Sequence, residues 1–198
     1  MRIAVLTFDG FNELDSFVAA GLLNRLRGQG WRAEITCPTE QVTSMNGVTV
    51  HAQQPLEFAN AADVVLFGSG VQTRAIATDT AILDRLSLDP QRQLIGSQCS
   101  GALLMAKLGL LGDLPACTDL TTKPWVIEAG VRVLDQPFYA QGNLATAGGC
   151  LSAPYLAAWV IAKLAGEGAC AEALHYVAPV GEKEDFVARA LGVVRPYL

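Results

Sequence analysis

Short apolar runs alternate with longer amphipathic stretches along most of the chain. The runs RIAVLTF, WRAEITC, ADVVLFG and QLIGS have the length and composition of strands. Between and after them, ELDSFVAAGLLNRLRGQG, SGALLMAKLGLL and SAPYLAAWVIAKLAG carry apolar residues at helical spacing. Nearly apolar strands separated by helices are typical of a parallel sheet that is covered on both faces. The pattern therefore predicts an α/β fold, a doubly wound, mostly parallel, flavodoxin-like sheet with helices on both faces.

The remaining segments predict smaller elements. Asn46-Gly47, between β-favouring flanks in VTSMNGVTV, predicts a small β-hairpin. Residues 73–88 predict a helix, ACTDL a short strand, and Pro124 the first turn of a further helix. VRVLDQ and NLATAGG follow, and ACAEALHYV and EDFVARALG predict helices at the end of the chain. Since no linker or repeat divides the sequence, residues 1–198 predict a single domain.

Composition and charge argue against several classes of protein. Hydrophobic residues make up 51% of the chain, which is typical of a folded globular protein. The net charge is −5 and Lys and Arg form no cluster, so the sequence offers no basic surface that would bind nucleic acid or an anionic membrane. The N-terminal MRIAVLTF is too short for a secretory signal, and no apolar run approaches the roughly 20 residues of a membrane span. The five cysteines are odd in number, widely spaced and without a CxxC pair. We therefore expect a cytoplasmic location, no disulfide framework, no metal site and no cofactor.

The chemistry is expected at one edge of the predicted sheet. In doubly wound sheets, ligands bind outside the carboxyl ends of the strands. The turns to search are therefore residues 8–15, 68–73, 96–101, 117–122 and 147–152.

One of these turns carries a cysteine in the sequence GSQCSGA. Ser97, Cys99 and Gly101 give the pattern small-x-nucleophile-x-Gly of a nucleophile elbow, in which small neighbours let strand and helix approach. The free N–H groups of a helix N-terminus favour a thiolate or an oxyanion there. The alternative is a packed thiol, since free Cys behaves as a small, buried hydrophobe. Because the pattern falls at a predicted ligand-binding turn, we favour a reactive Cys99.

Six segments, in chain order, resemble the DJ-1/PfpI (ThiJ/PfpI) superfamily over nearly the whole chain. They are FDGFNELD, MNGVTV, ADVVLFGSG, GSQCSGALLMAKLGLL, ACTD and NLATAGGCLSAPYLAAWVIAKL. The chain is most similar to the branch that includes isonitrile hydratase and the class I glutamine amidotransferase-like domains fused to AraC-type regulators. Because members of the superfamily are commonly dimers, the resemblance also implies a homodimer.

The resemblance implies partners for the thiol. In the family, an acidic residue just after the first strand faces the cysteine; Asp15 matches that position, and Glu13 lies two residues before it. A carboxylate beside a thiolate raises the thiol pKa, so it assists only by carrying a proton. The alternative role for both acids is at the start of a helix, where they are favourable anyway. Gly70 matches the last glycine of the family's Pro-Gly-Gly turn, so its amide and that of Ser100 would form an oxyanion hole, and the Ser100 hydroxyl is a further substrate-binding candidate.

One position departs from many relatives. Amidase-like and protease-like members have a histidine near the end of the ACTD segment, where this chain has Asp119. His51 and His175, the only histidines, lie at none of the predicted ligand-binding turns. A neutral imidazole base is therefore not expected, which counts against amide hydrolysis. Asp119 is either a site residue or the N-cap of the next helix, and Cys150 is expected to be pocket wall or core.

Three functions stay open at this point. The favoured one is a cofactor-free hydratase or lyase in which Cys99 attacks a small electrophile, such as an isonitrile or a reactive carbonyl. The alternative is a non-catalytic sensor, either of a small molecule or of oxidative stress through oxidation of Cys99. The third is an intracellular protease or amidase. In each case the expected partner is a small molecule rather than nucleic acid or a membrane.

Overall fold

The computed structural model describes residues 1–198, and seven of its nine strands form one central sheet. The strands, numbered along the chain, are β1 Arg2–Leu6, β2 Arg32–Cys37, β3 Gln41–Thr43, β4 Thr49–His51, β5 Gln54–Pro55, β6 Val64–Phe67, β7 Leu94–Gln98, β8 Phe138–Gln141 and β9 Leu144–Ala147. Their order in the sheet is β5-β2-β1-β6-β7-β9-β8, and every neighbouring pair is parallel except β8 with β9. The predicted α/β fold with a mostly parallel sheet is confirmed.

Helices cover both faces of this sheet and give each face its own apolar core. They are α1 Glu13–Leu23, α2 Thr73–Ile76, α3 Thr80–Leu83, α4 Gly101–Lys107, α5 Lys123–Glu128, α6 Ala153–Val177 and α7 Lys183–Val194. Successive side chains of a strand point to opposite faces, so Ile3 and Val5 of β1 pack with α1, α6 and α7, whereas Ala4 and Leu6 pack with α4. None of the helices is both long and apolar enough to cross a membrane.

Two segments differ from the sequence expectations. The helix predicted over residues 73–88 is divided into α2 and α3, because the Asp79 side chain accepts from the Ala81 amide and begins a new helix. ACTDL forms no strand, and only Ala116 makes an isolated bridge, to Val133. Residues 117–119 therefore have no regular secondary structure.

The predicted hairpin is present and lies apart from the main sheet. Its strands β3 and β4 pair antiparallel, with Val42 opposite Val50. The connecting loop contains Gly47 with a φ of 87°, a left-handed conformation that glycine adopts without strain. Its loop docks on the turn after β1, where the Met45 amide donates to the Phe11 carbonyl at 2.9 Å. The hairpin is thus fixed above the carboxyl edge of the sheet.

The sheet order brings four predicted ligand-binding turns together. Strands β1, β6, β7 and β9 are consecutive neighbours and all parallel, so their carboxyl ends share one edge. The chain reverses its direction of winding between β1 and β6, which is the switch point where doubly wound sheets open a crevice. The turns that follow these strands contribute Asn12, Ser69, Cys99 and Cys150 to that crevice.

The close approach of α4 to β6 gives a first prediction. A Cβ on Gly101 would lie 2.7 Å from the carbonyl oxygens of both Phe67 and Gly68. Because backbone atoms cannot move aside, we expect Gly101→Ala to lower the free energy of unfolding by about 1–3 kcal/mol, the usual cost of overpacking. Urea denaturation followed by circular dichroism measures this change.

The matched control is Gly21→Ala within α1, where nothing lies within 4 Å of the added Cβ. This change is expected to raise the free energy of unfolding by about 0.5–1 kcal/mol, because alanine loses less conformational entropy than glycine in a helix. A Gly101→Ala protein as stable as the parent chain would contradict the packing argument.

Candidate active site

Cys99 occupies a strained turn between β7 and α4. It is the only residue other than glycine with a positive φ, at 46°, and such a conformation costs about 1–3 kcal/mol. Two hydrogen bonds hold the turn: the Cys99 amide donates to the Ala147 carbonyl at 2.8 Å, and the Thr118 hydroxyl donates to the Cys99 carbonyl at 2.9 Å. The strand-to-helix elbow expected from the sequence is therefore present.

A cavity of about 380 Å³ opens above this turn. All five predicted ligand-binding turns contribute to its lining, together with the hairpin loop and α5. The lining residues are Asn12, Met45, Ser69, Gly70, Val71, Cys99, Ser100, Asp119, Thr121, Thr122, Trp125 and Cys150. None of them is Lys, Arg or His, so the lining contains an acid and two thiols without a basic side chain.

A larger depression of about 640 Å³ lies elsewhere, between α6 and α7. It is lined by His175, Tyr176, Glu184 and neighbouring residues, and it contains no cysteine. His175 there lies 3.7 Å from Glu184 and contributes nothing to the cavity at Cys99. We place the candidate active site at the smaller cavity, because only this one of the two contains a thiol at a strained turn.

Asp15 lies beneath the floor of the cavity, in the first turn of α1, with only 2% of its surface exposed. Its Oδ2 accepts a short hydrogen bond from the Ser69 hydroxyl, and its Oδ1 has no hydrogen-bond partner. Burial raises the pKa of Asp15 above its ordinary value, while Ser69 and the nearby thiols of Cys99 and Cys150 act in the opposite direction. The balance favours a protonated carboxyl more than in water.

The thiol of Cys99 has a second thiol beside it. The Sγ atoms of Cys99 and Cys150 are 4.0 Å apart, and the Asn12 Nδ2 donates to the Cys150 Sγ at 3.1 Å. Burial raises the pKa of Cys99, and repulsion from Asp15, then from Cys150, adds to this effect. The thiolate expected at a helix N-terminus is therefore not favoured here, because α4 is only seven residues long and the surroundings are acidic.

Ser100 and Gly70 already bind one another in the free site. The Gly70 amide donates to the Ser100 Oγ at 3.2 Å, and the hydroxyls of Ser100 and Thr73 are 2.8 Å apart. The Thr73 hydroxyl also reaches the Gly70 carbonyl at 2.8 Å, and the Ser100 hydroxyl reaches it at 3.5 Å, so either hydroxyl can donate to the other. The Gly70 amide, one of the two predicted oxyanion donors, is thus occupied by the Ser100 hydroxyl, which a substrate would have to displace.

The two remaining acidic candidates have structural partners. Asp119 lines the cavity, and its Oδ1 accepts from the amides of Thr121 and Thr122 at 2.9 Å each, so it caps the turn before α5 as well. Glu13 lies outside the lining, and its carboxylate binds the Ser44 hydroxyl at 2.5 Å and the Asn46 amide group at 2.9 Å. The Ser44 hydrogen bond is the main cause that lowers the pKa of Glu13. Glu13 therefore fixes the hairpin loop rather than the cavity floor.

The structure adds Asn12, Ser69 and the second thiol to the candidates from the sequence. Asn12 is the N-cap of α1, whose Oδ1 accepts from the Leu14 amide, and its Nδ2 remains free to reach Cys150. Ser69, in the turn after β6, supplies the hydroxyl that binds Asp15. Cys150 lines the pocket wall, as expected. Its position in the turn after β9 is the sequence feature from which its approach to Cys99 could have been predicted.

Comparisons with known proteins agree with this fold. A family profile described as the DJ-1/PfpI family matches residues 1–163. Among curated proteins, no sequence matches the chain. DJ-1beta of Drosophila melanogaster superposes with a TM-score of 0.78 at 22% identity, covering 89% of this chain and 96% of that one.

Two bacterial structures give similar values. A ThiJ/PfpI family protein from Pseudomonas syringae has a TM-score of 0.76 at 19% identity, covering 98% of this chain and 90% of its own. A DJ-1 superfamily protein from Salmonella typhimurium, solved as a cysteine-to-alanine mutant, has a TM-score of 0.76 at 22% identity, covering 90% and 98%. At these identities the likeness establishes the fold.

The surroundings of the five cysteines predict an order of reactivity. Burial raises the pKa of Cys37, Cys117 and Cys170 to about 12, and each is at most 1% exposed. We expect iodoacetamide to alkylate half-buried Cys150 first and cavity-lining Cys99 second, and the other three only after unfolding. Intact mass and peptide mapping at increasing times measure the order.

Cys150→Ser is the control, since it should remove the fastest modification and leave the Cys99 adduct. Modification of Cys37, Cys117 or Cys170 in the native chain before Cys99 would contradict the burial pattern.

Proposed function

The chain belongs to the DJ-1/PfpI family, and we propose that it is a cofactor-free, cysteine-dependent enzyme of the hydratase or lyase type. Its substrate is a small, uncharged electrophile, an isonitrile or a reactive carbonyl. The observation that carries this proposal is the Cys99 elbow, which presents a thiol to a cavity of about 380 Å³ above a buried carboxyl. No histidine lines that cavity, as an amidase mechanism would require within one chain.

The charge of the lining supports an uncharged substrate. Asp119 lines the cavity, and no Lys, Arg or His lines it to offset this acid. A carboxylate or phosphate substrate would be repelled there, because unscreened like charges in a partly buried site are costly. An isonitrile or an aldehyde carries no net charge and polarises only when the thiol attacks.

For an isonitrile, the proposed steps balance with water as the only co-reactant. The Cys99 sulfur forms a bond to the terminal carbon, and the thiol proton passes through the Asp15 carboxyl to that carbon, which gives a thioimidate. A water molecule then adds to the same carbon. The carbon–sulfur bond breaks, the thiol regains its proton, and an N-substituted formamide leaves. Asp15 is suited to this transfer because it is buried beside the sulfur and its Oδ1 is unpartnered.

Ser100 gives the developing charge a hydrogen-bond donor. Its hydroxyl points to Thr73 in the free site and accepts from the Gly70 amide. When a substrate heteroatom becomes negative, rotation about the Cα–Cβ bond of Ser100 swings the whole hydroxyl toward the substrate, which leaves the Gly70 amide free to donate as well. Two donors are thereby supplied without any movement of the backbone.

An oxidation sensor is the second candidate, and the separation of the two sulfurs favours it. The Cys150 sulfur lies 4.0 Å from the Cys99 sulfur, close enough to contact the oxygen of an oxidised Cys99. Peroxide titration with intact-mass readout separates the two functions. Selective oxidation of Cys99 at low dose, without turnover of any isonitrile or carbonyl tested, would favour the sensor.

Self-association stays a prediction from the family resemblance. Leu120 and Leu151, which are 82% and 80% exposed, lie next to cavity-lining residues and would suit an interface. Light scattering after size exclusion would measure the mass in solution.

Replacement of the nucleophile tests the proposed activity. We expect Cys99→Ala and Cys99→Ser to abolish turnover of the isonitrile or carbonyl that the parent chain consumes, because no other group forms the covalent intermediate. Cys170→Ser is the matched control, since Cys170 is fully buried and its hydrogen bond to the Ala158 carbonyl can be kept by a serine hydroxyl. A Cys99→Ala protein with full turnover would overturn the proposal.

Removal of the Ser100 hydroxyl tests the donor pair. We expect Ser100→Ala to lower kcat by about 10²–10³-fold, the usual effect of losing one oxyanion donor, with a small change in KM. Steady-state kinetics on the same substrate measure both constants. An unchanged kcat would show that the hydroxyl does not take part.

A further inference from the structure

Three potential metal ligands from distant parts of the chain meet at the floor of the cavity. One carboxylate oxygen of Asp15 and the sulfurs of Cys99 and Cys150 all lie within 4.8 Å of one another. They come from three different turns, after β1, β7 and β9. The proposed reaction uses Asp15 and Cys99 but gives Cys150 no role.

The spacing of the two sulfurs matches that of a shared cation. Zinc–sulfur bonds of about 2.3 Å in a tetrahedral site place two sulfurs about 3.8 Å apart. The observed separation of Cys99 and Cys150 is 4.0 Å. Both thiols could therefore bind one ion with a movement of a few tenths of an ångström.

The carboxyl group of Asp15 supplies an independent sign of a missing partner. Its Oδ1 is fully buried and no N–H or O–H group donates to it, although buried polar atoms nearly always find a partner; besides Ser69, only the thiols of Cys99 and Cys150 act on this carboxyl, as weak donors. Its Oδ2 is already bound by Ser69. The free oxygen is therefore available as a third ligand.

Charge at the site favours a cation as well. Asp119 adds a further acid to the lining, and no Lys, Arg or His lies there to offset the acids. A divalent ion would neutralise two thiolates, and their protons would pass to solvent on binding. Sulfur ligands select a soft ion such as Zn²⁺ or Cd²⁺ over Mg²⁺ or Ca²⁺.

We propose that Asp15, Cys99 and Cys150 form a binding site for a thiophilic divalent cation of the zinc class, with the fourth ligand position open to the cavity. Because the ion and an electrophile both require the Cys99 sulfur, bound metal blocks nucleophilic attack. The site thereby couples the reactivity of Cys99 to the available metal. Metal binding itself does not depend on the proposed reaction.

Two neighbouring side chains hold the ligands in place. Asn12 donates to the Cys150 sulfur, and Ser69 donates to Asp15. Such outer-shell hydrogen bonds orient metal ligands, and their loss typically weakens binding about 10–100-fold. Asn12→Ser keeps an oxygen to cap α1 but is too short to reach the sulfur, so it isolates this positioning effect.

Direct metal binding tests the proposal without any substrate. The reduced full-length chain is titrated with Zn²⁺ by calorimetry and with Cd²⁺ by the ultraviolet absorption of cadmium–thiolate bonds. We expect one equivalent of each ion, and no comparable binding of Mg²⁺. Cys99→Ser and Cys150→Ser should each weaken binding more than about 100-fold, beyond the effect of an outer-shell change, and each should reduce the cadmium–thiolate absorption.

Cys170→Ser is the control and should bind both ions like the parent chain, since Cys170 is buried in the core away from the cavity. Thermal unfolding of each variant verifies that it is folded. The proposal is overturned if the parent chain binds no equivalent of Zn²⁺ or Cd²⁺, or if binding is unchanged in folded Cys150→Ser. An inactive chain that binds zinc through these cysteines would contradict the proposed reaction alone.

Discussion

Gly101 packs against two carbonyl oxygens of the neighbouring strand, and this contact determines how β7 can turn into α4. With no side chain between helix and strand, the reversal takes place at one residue, Cys99, in a left-handed conformation. Hydrogen bonds from Thr118 and to Ala147 keep the strained residue in place. The neighbouring parallel strands β6 and β9 end at the same edge of the sheet as β7. The side chains in the turns after them therefore lie next to Cys99. The strain is therefore a property of the fold and not of Cys99 alone.

Burial without compensating charge determines the chemistry that such a turn supports. The N-terminus of α1 favours a negative Asp15, but a helix dipole contributes only about 0.3–1 kcal/mol at ordinary sites. Desolvation outweighs this effect, because the pKa of Asp15 is raised overall. The pKa of Cys99 is raised by the same burial and by its acidic neighbours. Both shifts favour the protonated forms of Asp15 and Cys99, which suits the uncharged electrophile proposed as substrate and requires the proposed cation to displace the thiol protons.

Hydrophobic periodicity was sufficient to predict the main strands and the two covered faces, and the small residues around Cys99 predicted its turn, because each signal lies within a short segment. It failed for ACTDL, whose composition resembles a strand but whose pairing is limited to one bridge from Ala116 to Val133. The contact between Cys99 and Cys150 joins residues 51 positions apart, so cysteine spacing gave no sign of a shared site. The role of Glu13 could not be predicted from its own segment either, because its partners Ser44 and Asn46 belong to the hairpin loop that folds over it.

The hairpin of β3 and β4 has a consequence for how this domain can change. It pairs with no strand of the central sheet, yet its loop is tied to α1 through Glu13, and Met45 lines the mouth of the cavity. Substitutions at the loop can thus alter the size and polarity of the entrance while the sheet edge that holds the thiol stays the same. The entrance of the cavity and the thiol within it are carried by separate segments of the polypeptide, which leaves one free to diversify while the other is preserved.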